Sequence, residues 1–475
     1  MIDSDFPPEW SAQKKAQARS DFLKKLSLES HRFYAGKMQT LPRVPVGDPD
    51  WWNVWYTPGI SALSTAIRAD NEASFALSSR GNLVAVVSDS TRVLGDGDCT
   101  PAGGLGVMEG KALLMKYLGA VDAVALCADT RHKDGSPDPD KLIEFVKMIQ
   151  PSFGAINLED ISQPNCYRVL DELQDACDIP VWHDDAQGTA CVTLAALLNA
   201  LLLAEKNLED ARIVFIGAGA ANSTVARFII QAGGKPENII LFDANGALYA
   251  GRNDIPPEFY RQRELCKTTN PRNIQDPAEA LRGADVLIAL SAPGPNRIPA
   301  DWIRNMRDRP IVFACANPIP ELWPADAKEA GAFIVATGRG DFPNQVNNAL
   351  CFPGILKGAL AVRARKITDS MAIRCAKALA EYSRQRGIDP DHIIAAINEP
   401  DLFAYEAGAV AEVAVQEHNA RVIRTFDEVY KHTKKDIEAV HNLVEDMQNR
   451  GHIETFPLKI VDSIKEEIIN VYKNQ

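Results

Sequence analysis

The sequence predicts an α/β fold, with two parallel-sheet domains in succession and then C-terminal helices, and three observations carry that reading. From Gly81 onward, short Val- and Ile-rich runs alternate with helix-period segments, the rhythm of a sheet buried on both faces. At Ala211 one such run passes straight into a glycine turn and a new helical pattern. Between these points two apolar runs stop abruptly at paired acids. One is Gly154-Ala-Ile-Asn-Leu-Glu159-Asp160, and the other is Ile179-Pro-Val-Trp-His183-Asp184-Asp185-Ala-Gln187-Gly188-Thr189. The expected domains are 1–190, 191–360 and 361–475.

Taken in order, residues 8–41 read as a helical arm with a solvated basic face. Trp51, Trp52, Trp55 and Tyr56 crowd together before the Pro58-Gly59 turn signal. The tryptophans are expected to plug a domain or subunit contact, and Tyr56 to start a loop. Gly81–Asp89 reads as a buried strand, followed by the polar loop Thr91-Arg92-Val-Leu-Gly95-Asp96-Gly97-Asp98. The next helix carries Lys111 near its start. Further strands are expected at 123–129, 154–160 and 179–185, with helices near 140–149 and 166–178. The apolar stretch 190–204 reads as a buried helix, short of membrane-spanning length.

The second domain opens with Ala211-Arg-Ile-Val-Phe-Ile-Gly217-Ala-Gly219-Ala220-Ala221-Asn222, which has the strand–turn–helix context of a dinucleotide site. Asn222 stands where the fingerprint has Gly or Ala and is expected to loosen helix–strand packing slightly. Asp243 closes the next strand 26 positions after Gly217, near the spacing of a ribose-binding carboxylate. Strands at 285–291, 310–316 and 332–337 would complete a Rossmann-type sheet. The alternative is a Rossmann shell whose site has decayed. Beyond Pro353 the chain reads as helical, and 426–475 carries no catalytic signature.

Bulk properties narrow the partners. At 475 residues, 46% apolar and 24% charged, the chain has ample core for two or three domains. A net charge of −12 argues against nucleic acid while leaving room for a small anion in a locally positive pocket. The nine cysteines show no CxxC spacing, which points to free thiols in a reducing, cytoplasmic setting. No secretory or transit pattern and no membrane partner is expected.

The acids and the glycine turn imply chemistry. Carboxylates brought together at strand ends repel unless a cation sits among them, and hard divalent ions such as Mg²⁺ and Mn²⁺ take oxygen ligands. The plain alternative is that acids simply begin the loops after strands. Lys111, early in a helix, is placed for a lowered pKa and a role as base, against the alternative of an ordinary surface lysine. A metal, a nicotinamide, a lysine and a tyrosine together suit oxidative decarboxylation of a 2-hydroxy acid.

Several motifs, in order over about residues 50–360, resemble the malic enzyme family. They are Tyr56-Thr-Pro-Gly, Gly81–Asp89, Val107-Met-Glu-Gly-Lys111, Asn157-Leu-Glu159-Asp160, His183-Asp184-Asp185 with Gln187-Gly-Thr, Gly217-Ala-Gly-Ala-Ala, Ala316-Asn317-Pro and Asn344-Gln-Val-Asn-Asn348. The resemblance implies conversion of malate to pyruvate and CO₂ with NAD or NADP and Mg²⁺ or Mn²⁺, in a homodimer or homotetramer. It makes Tyr56 the general acid and Lys111 the general base. Asp184 becomes the hydrogen-bond partner of Lys111, and Glu159, Asp160 and Asp185 the metal ligands. Asn317 and Asn348 would hold substrate by amide donors, and Arg92 would clamp a malate carboxylate, as in larger members. Asp184-Asp185-Ala-Gln187-Gly-Thr departs from the compact bacterial pattern, and Asp96 departs from the family's glycine loop. Asp243 favours NAD, although Arg252 lies close enough in sequence to meet a 2′-phosphate if its loop folds back. Two alternatives stand beside this reading: a malolactic enzyme that uses the same parts and keeps its nicotinamide, and a silent nucleotide-sensing scaffold, whose mark would be loss of Lys111, Tyr56 or a metal acid, all of which are present.

Overall fold

A computed structural model of the chain describes residues 6–93, 96–295, 297–399 and 401–473. Leu94 and Gly95 of the polar glycine loop lie outside them. The chain forms two compact units, Thr40–Ile437 and a smaller one made of Met1–Gln39 with Glu438–Gln475. In the smaller unit the Ala12–Tyr34 helix, capped by the Ser11 hydroxyl on the Lys14 N–H, pairs with the Leu458–Lys473 helix. Ile464, Ile468 and Tyr472 recur every fourth residue and bury one stripe against Phe6, Trp10 and Phe22.

The larger unit holds two sheets. The first contains β1 (Leu83–Ser88), β2 (Asp122–Cys127), β3 (Ala155–Leu158) and β4 (Val181–His183), all parallel, in the order β2-β1-β3-β4. The second contains β5 (Ile213–Ile216), β6 (Ile239–Asp243), β7 (Gly246–Ala247), β8 (Val286–Ala289), β9 (Ile311–Ala314) and β10 (Ile334–Thr337), in the order β10-β9-β8-β5-β6-β7. Only β7 runs antiparallel, because a reversal at Gly246, with φ of 127°, folds the chain back onto β6. Both orders reverse direction beside a central strand, between β1 and β3 and between β5 and β8. Ligands of open α/β sheets bind at such crevices, off the carboxyl ends of the strands.

The two sheets are joined by a π-helical turn, Asp184–Gly188, that runs directly into the Thr189–Leu203 helix. Joined in this way, Asp184–Leu203 reaches 20 residues and is long and apolar enough to cross a membrane, which the apolar run at 190–204 alone is not. It is a core helix nonetheless, since 78% of its most apolar window is buried inside the fold. Asn199, in its C-terminal half, donates to the carbonyls of Ala380 and Ile393, at 3.1 and 2.8 Å, so this buried amide is satisfied.

The aromatic segment behaves differently from the rest. The Asp50–Trp55 and Ile60–Ala69 helices bury none of their residues, and Trp51, Trp52, Val54, Tyr56 and Ile60 are exposed. Among the described residues, therefore, Trp51, Trp52 and Trp55 plug no domain contact.

Candidate active site

The acids expected at the strand ends converge with Lys111. The Leu105–Gly119 helix presents Lys111 to the carboxyl ends of β3 and β4, where its ammonium lies 3.0 Å from Glu159 Oε1 and bonds to Asp184 Oδ2. The three side chains are 10%, 2% and 0% exposed. Its ammonium also lies 4.6 Å from the centre of the Phe352 ring. Asp184 is held from behind by Trp182, whose indole N–H donates to Oδ1 at 3.0 Å. The backbone leaves room for this carboxylate only because residue 188 is glycine, since a Cβ there would lie 1.9 Å from Asp184 Oδ1. Gln187 closes the turn by accepting from the His183 N–H at 3.0 Å.

The electrostatics overturn one expectation. Burial alone would lower the Lys111 pKa, but Asp184, Glu159 and Asp185 outweigh it and hold the ammonium well above the ordinary lysine range. The helix start has less influence than three carboxylates around a buried ammonium. Burial likewise pushes the Glu159 and Asp184 carboxyls up, with Lys111 opposing.

Glu159, Asp160 and Asp185 each bring a carboxylate oxygen within 4.8 Å of the others. Asp185 is the half-buried member, while Glu159 and Asp160 are buried. An all-oxygen set of this span fits a hard divalent cation, whose octahedral ligands lie about 3–4 Å apart. Two second contacts shape the set. Asn157 donates to Glu159 Oε2 at 3.0 Å, and the Asp160 N–H donates to Asp185 Oδ2 at 2.7 Å, with Asp160 in the left-handed region at φ 55°.

The expected substrate residues surround this cluster unequally. The Arg92 N–H donates to the Asp160 carbonyl at 2.9 Å, and Thr91 Oγ1 accepts from the Ser162 N–H, so the loop is stitched beside the metal acids. The Arg92 side chain is exposed and makes no hydrogen bond or ion pair among the described residues. Asn348 borders the Asp184 turn, its Cβ 3.2 Å from the place a side chain on Gly188 would occupy. Asn317 follows β9, with Nδ2 2.6 Å from where a Cβ on Gly338 would sit. Asp96 is an exposed loop acid. Tyr56 is not brought into the cluster: it is 71% exposed, and no hydrogen bond joins its phenol to Lys111 or the carboxylates among the described residues.

At the second crevice, β5 runs into Gly217, where a φ of 98° and a Leu290 carbonyl oxygen 2.4 Å from the place a Cβ would occupy exclude a side chain. Gly219 starts the Ala220–Gln231 helix, which carries Ala220, Ala221 and Asn222 in its first turn. Asn222 tightens the turn where loosening was expected. Fully buried, its amide donates to the Gly217 carbonyl at 2.8 Å and clips helix to strand. The loop after β7 does fold back, and Arg252 forks onto Asp243 at 3.2 and 2.9 Å. It also forks onto Asp254 at 2.5 and 2.8 Å, and donates to the Ala247 carbonyl at 2.9 Å.

Asn157, Trp182, Gly188 and Phe352 were not anticipated as parts of the site. The first two had a usable signal, because each stands two positions before the acid it holds and so shares that acid's side of an extended chain. Phe352 had none.

Comparisons with known proteins agree with this geometry. Residues 35–174 match the family described as "Malic enzyme, N-terminal domain", and residues 186–415 the one described as "Malic enzyme, NAD binding domain". The chain is 42% identical over 387 residues to an NAD-dependent malic enzyme of Geobacillus stearothermophilus, covering 81% of this chain and 78% of that one. It is 38% identical over 418 residues to a bifunctional malic/malolactic enzyme of Bacillus subtilis, covering 87% and 98%. The crystal structure of Entamoeba histolytica malic enzyme superposes with a TM-score of 0.97 at 54% identity, covering 99% of this chain and 98% of that one.

Proposed function

The chain belongs to the malic enzyme family, and from that premise we propose how its residues divide the work. The enzyme oxidatively decarboxylates malate to pyruvate and CO₂ and reduces a nicotinamide dinucleotide. The observation behind the division of roles is the buried contact of Lys111 with Asp184 and Glu159, beside a three-carboxylate set at the strand ends.

Glu159, Asp160 and Asp185 would hold Mg²⁺ or Mn²⁺. When bound, the cation supplies Lewis acidity and the dinucleotide accepts a hydride. Lys111 takes the proton from the C2 hydroxyl. A cation sharing the surrounding carboxylates would weaken their hold on its own proton, so that a lysine among acids could serve as base. Asp184, fixed by Trp182, keeps Nζ aimed. Arg92 offers an unspent guanidinium fork to one malate carboxylate, and Asn348 and Asn317 offer amide donors to the substrate. Tyr56 protonates C3 of the enol. Its exposure, within a segment of exposed tryptophans, supports a homo-oligomer in which Tyr56 of one copy serves the site of another.

Gly217, Gly219 and the first turn of the following helix cradle the dinucleotide phosphates, and Asp243 takes the ribose. NAD is the preferred form. Arg252 spends its donors on two carboxylates and a carbonyl, and Asp243 would repel a 2′-phosphate while keeping lone pairs for a hydroxyl. Nine free thiols support a reducing, cytoplasmic setting.

The test follows absorbance of the reduced nicotinamide with malate, Mn²⁺ and each dinucleotide. NADH should accumulate with malate and metal together and not with either alone. A marked preference for NADP⁺ would overturn the NAD assignment, and lactate formed without free NADH would point to malolactic turnover instead.

A further inference from the structure

Behind the catalytic cleft, four helices bring three thiols and a carboxyl together in the core. Cys191 lies on Thr189–Leu203, Cys351 caps the start of Phe352–Ala361, Cys375 lies on Asp369–Arg386, and Glu406 lies on Leu402–Gln416. All four are 0% exposed, and the three sulfurs lie within 4.8 Å of one another. Glu406 meets the Cys375 thiol, and among the described residues no backbone or other side-chain group donates to either of its oxygens. A Cβ on Gly354 would lie 2.2 Å from Glu406 Oε2, so the fold keeps a glycine there to admit the carboxyl.

Buried cysteines taken singly are small hydrophobes and need no further account. A buried carboxyl met only by a thiol does, because a thiol is a weak donor and offsets little of the carboxyl's desolvation. Tetrahedral zinc thiolate sites place sulfurs about 3.8 Å apart, given Zn–S bonds of about 2.3 Å. Three sulfurs within 4.8 Å need only a small contraction to reach that spacing. Thiolates select a soft or borderline cation, whereas Glu159, Asp160 and Asp185 select a hard one.

We propose that Cys191, Cys351 and Cys375, with Glu406 as the oxygen donor beside them, form a structural site for zinc or a similar thiophilic cation, separate from the catalytic cation. Such an ion would tie together the four helices. One of them begins at the Asp184–Gly188 turn, and another begins with the Phe352 that lies against Lys111. Its effect would fall on the rigidity of the catalytic floor.

The experiment measures metal content of the full chain expressed in zinc-supplemented medium and dialysed against excess Mg²⁺ with a weak chelator. About one zinc per chain should remain, and Asp185→Asn should retain it, which separates this ion from the catalytic one. Cys375→Ser should lose it, and Glu406→Gln should weaken retention about tenfold or more. If Cys375→Ser does not fold, wild-type protein from cobalt medium gives the same answer through its thiolate-to-cobalt charge-transfer absorption. Zinc-free wild-type protein without that band would overturn the proposal. So would zinc that leaves with Asp185→Asn and stays with Cys375→Ser, or a chain two hydrogens lighter with a disulfide in the cluster.

Discussion

Replacing Lys111 with methionine separates the two jobs of its ammonium. The methionine side chain would nearly match the lysine stem and keep its apolar packing while removing the charge. Glu159 and Asp184, 2% and 0% exposed, would then be buried without their cation. Breaking a buried pair by removing one partner costs about 3–5 kcal/mol. For a cooperative unit the length of Thr40–Ile437, the unfolding entropy is about 0.8 kcal/mol per kelvin, so the metal-free melting temperature should fall by about 4–6 °C. Mg²⁺ should restore more of the melting temperature of Lys111→Met than it adds to wild type, because a cation on Glu159 replaces part of the missing charge. Malate turnover should not recover with it, since loss of a general base costs about 10²- to 10⁴-fold. The assay pairs thermal melts, with and without Mg²⁺, with malate-dependent nicotinamide reduction. Turnover within tenfold of wild type would refute Lys111 as the base, and an unchanged metal-free melt would refute the buried-pair accounting.

Gly188→Ala should keep the fold and dinucleotide binding but lower kcat about a hundredfold, because its Cβ collides with the Asp184 carboxylate that aims Lys111. Steady-state kinetics would show it, and a wild-type kcat would mean that Asp184 aims nothing. Arg92→Ala should raise KM for malate about tenfold to a hundredfold with little change in kcat or stability, since its exposed guanidinium has no partner among the described residues. A matching fall in kcat would move Arg92 into the chemical step. Inactive Tyr56→Phe and inactive Lys111→Met, unfolded and refolded together in equal amounts, should regain about a quarter of wild-type activity if Tyr56 works across a pair of copies. Failure to regain any would return Tyr56 to its own chain.

The sheets were legible because buried parallel strands leave a pattern that few other segments leave. Val84 to Val87, Ile213 to Ile216 and Ile311 to Ala314 are continuous apolar runs, and each lies inside an observed strand. The convergence of Glu159, Asp184 and Lys111 was legible for a related reason: strand ends and helix starts meet at the crevice of an open sheet. The Lys111 pKa was not. A sequence shows that a lysine begins a helix, but the sign of its shift depends on three carboxylates 48 to 74 positions away. Asn222 was misjudged because a fingerprint records the size of a side chain, whereas here its amide reaches the turn carbonyl. β7 was missed because two residues carry no periodicity, and only the φ of Gly246 reveals the reversal.

The charges at the cleft also explain why so acidic a protein can take a dianion. Glu159, Asp160, Asp184 and Asp185 bring four carboxylates, against the single ammonium of Lys111. Fully ionised, that pocket carries three uncompensated negative charges, and malate would be repelled from it at short range. Burial raises Glu159 and Asp184, which lowers the excess without removing it. A divalent cation on the three-acid set would leave one, and Arg92, stitched beside Asp160 through its backbone, would bring the sum to neutrality. On the proposed division of roles, Arg92 and the cation would act together: the cation would make the pocket approachable, and the guanidinium would give the carboxylate a direction from which to enter. The negative surplus that looks excessive in the chain alone is the measure of how much positive charge the working site is built to receive.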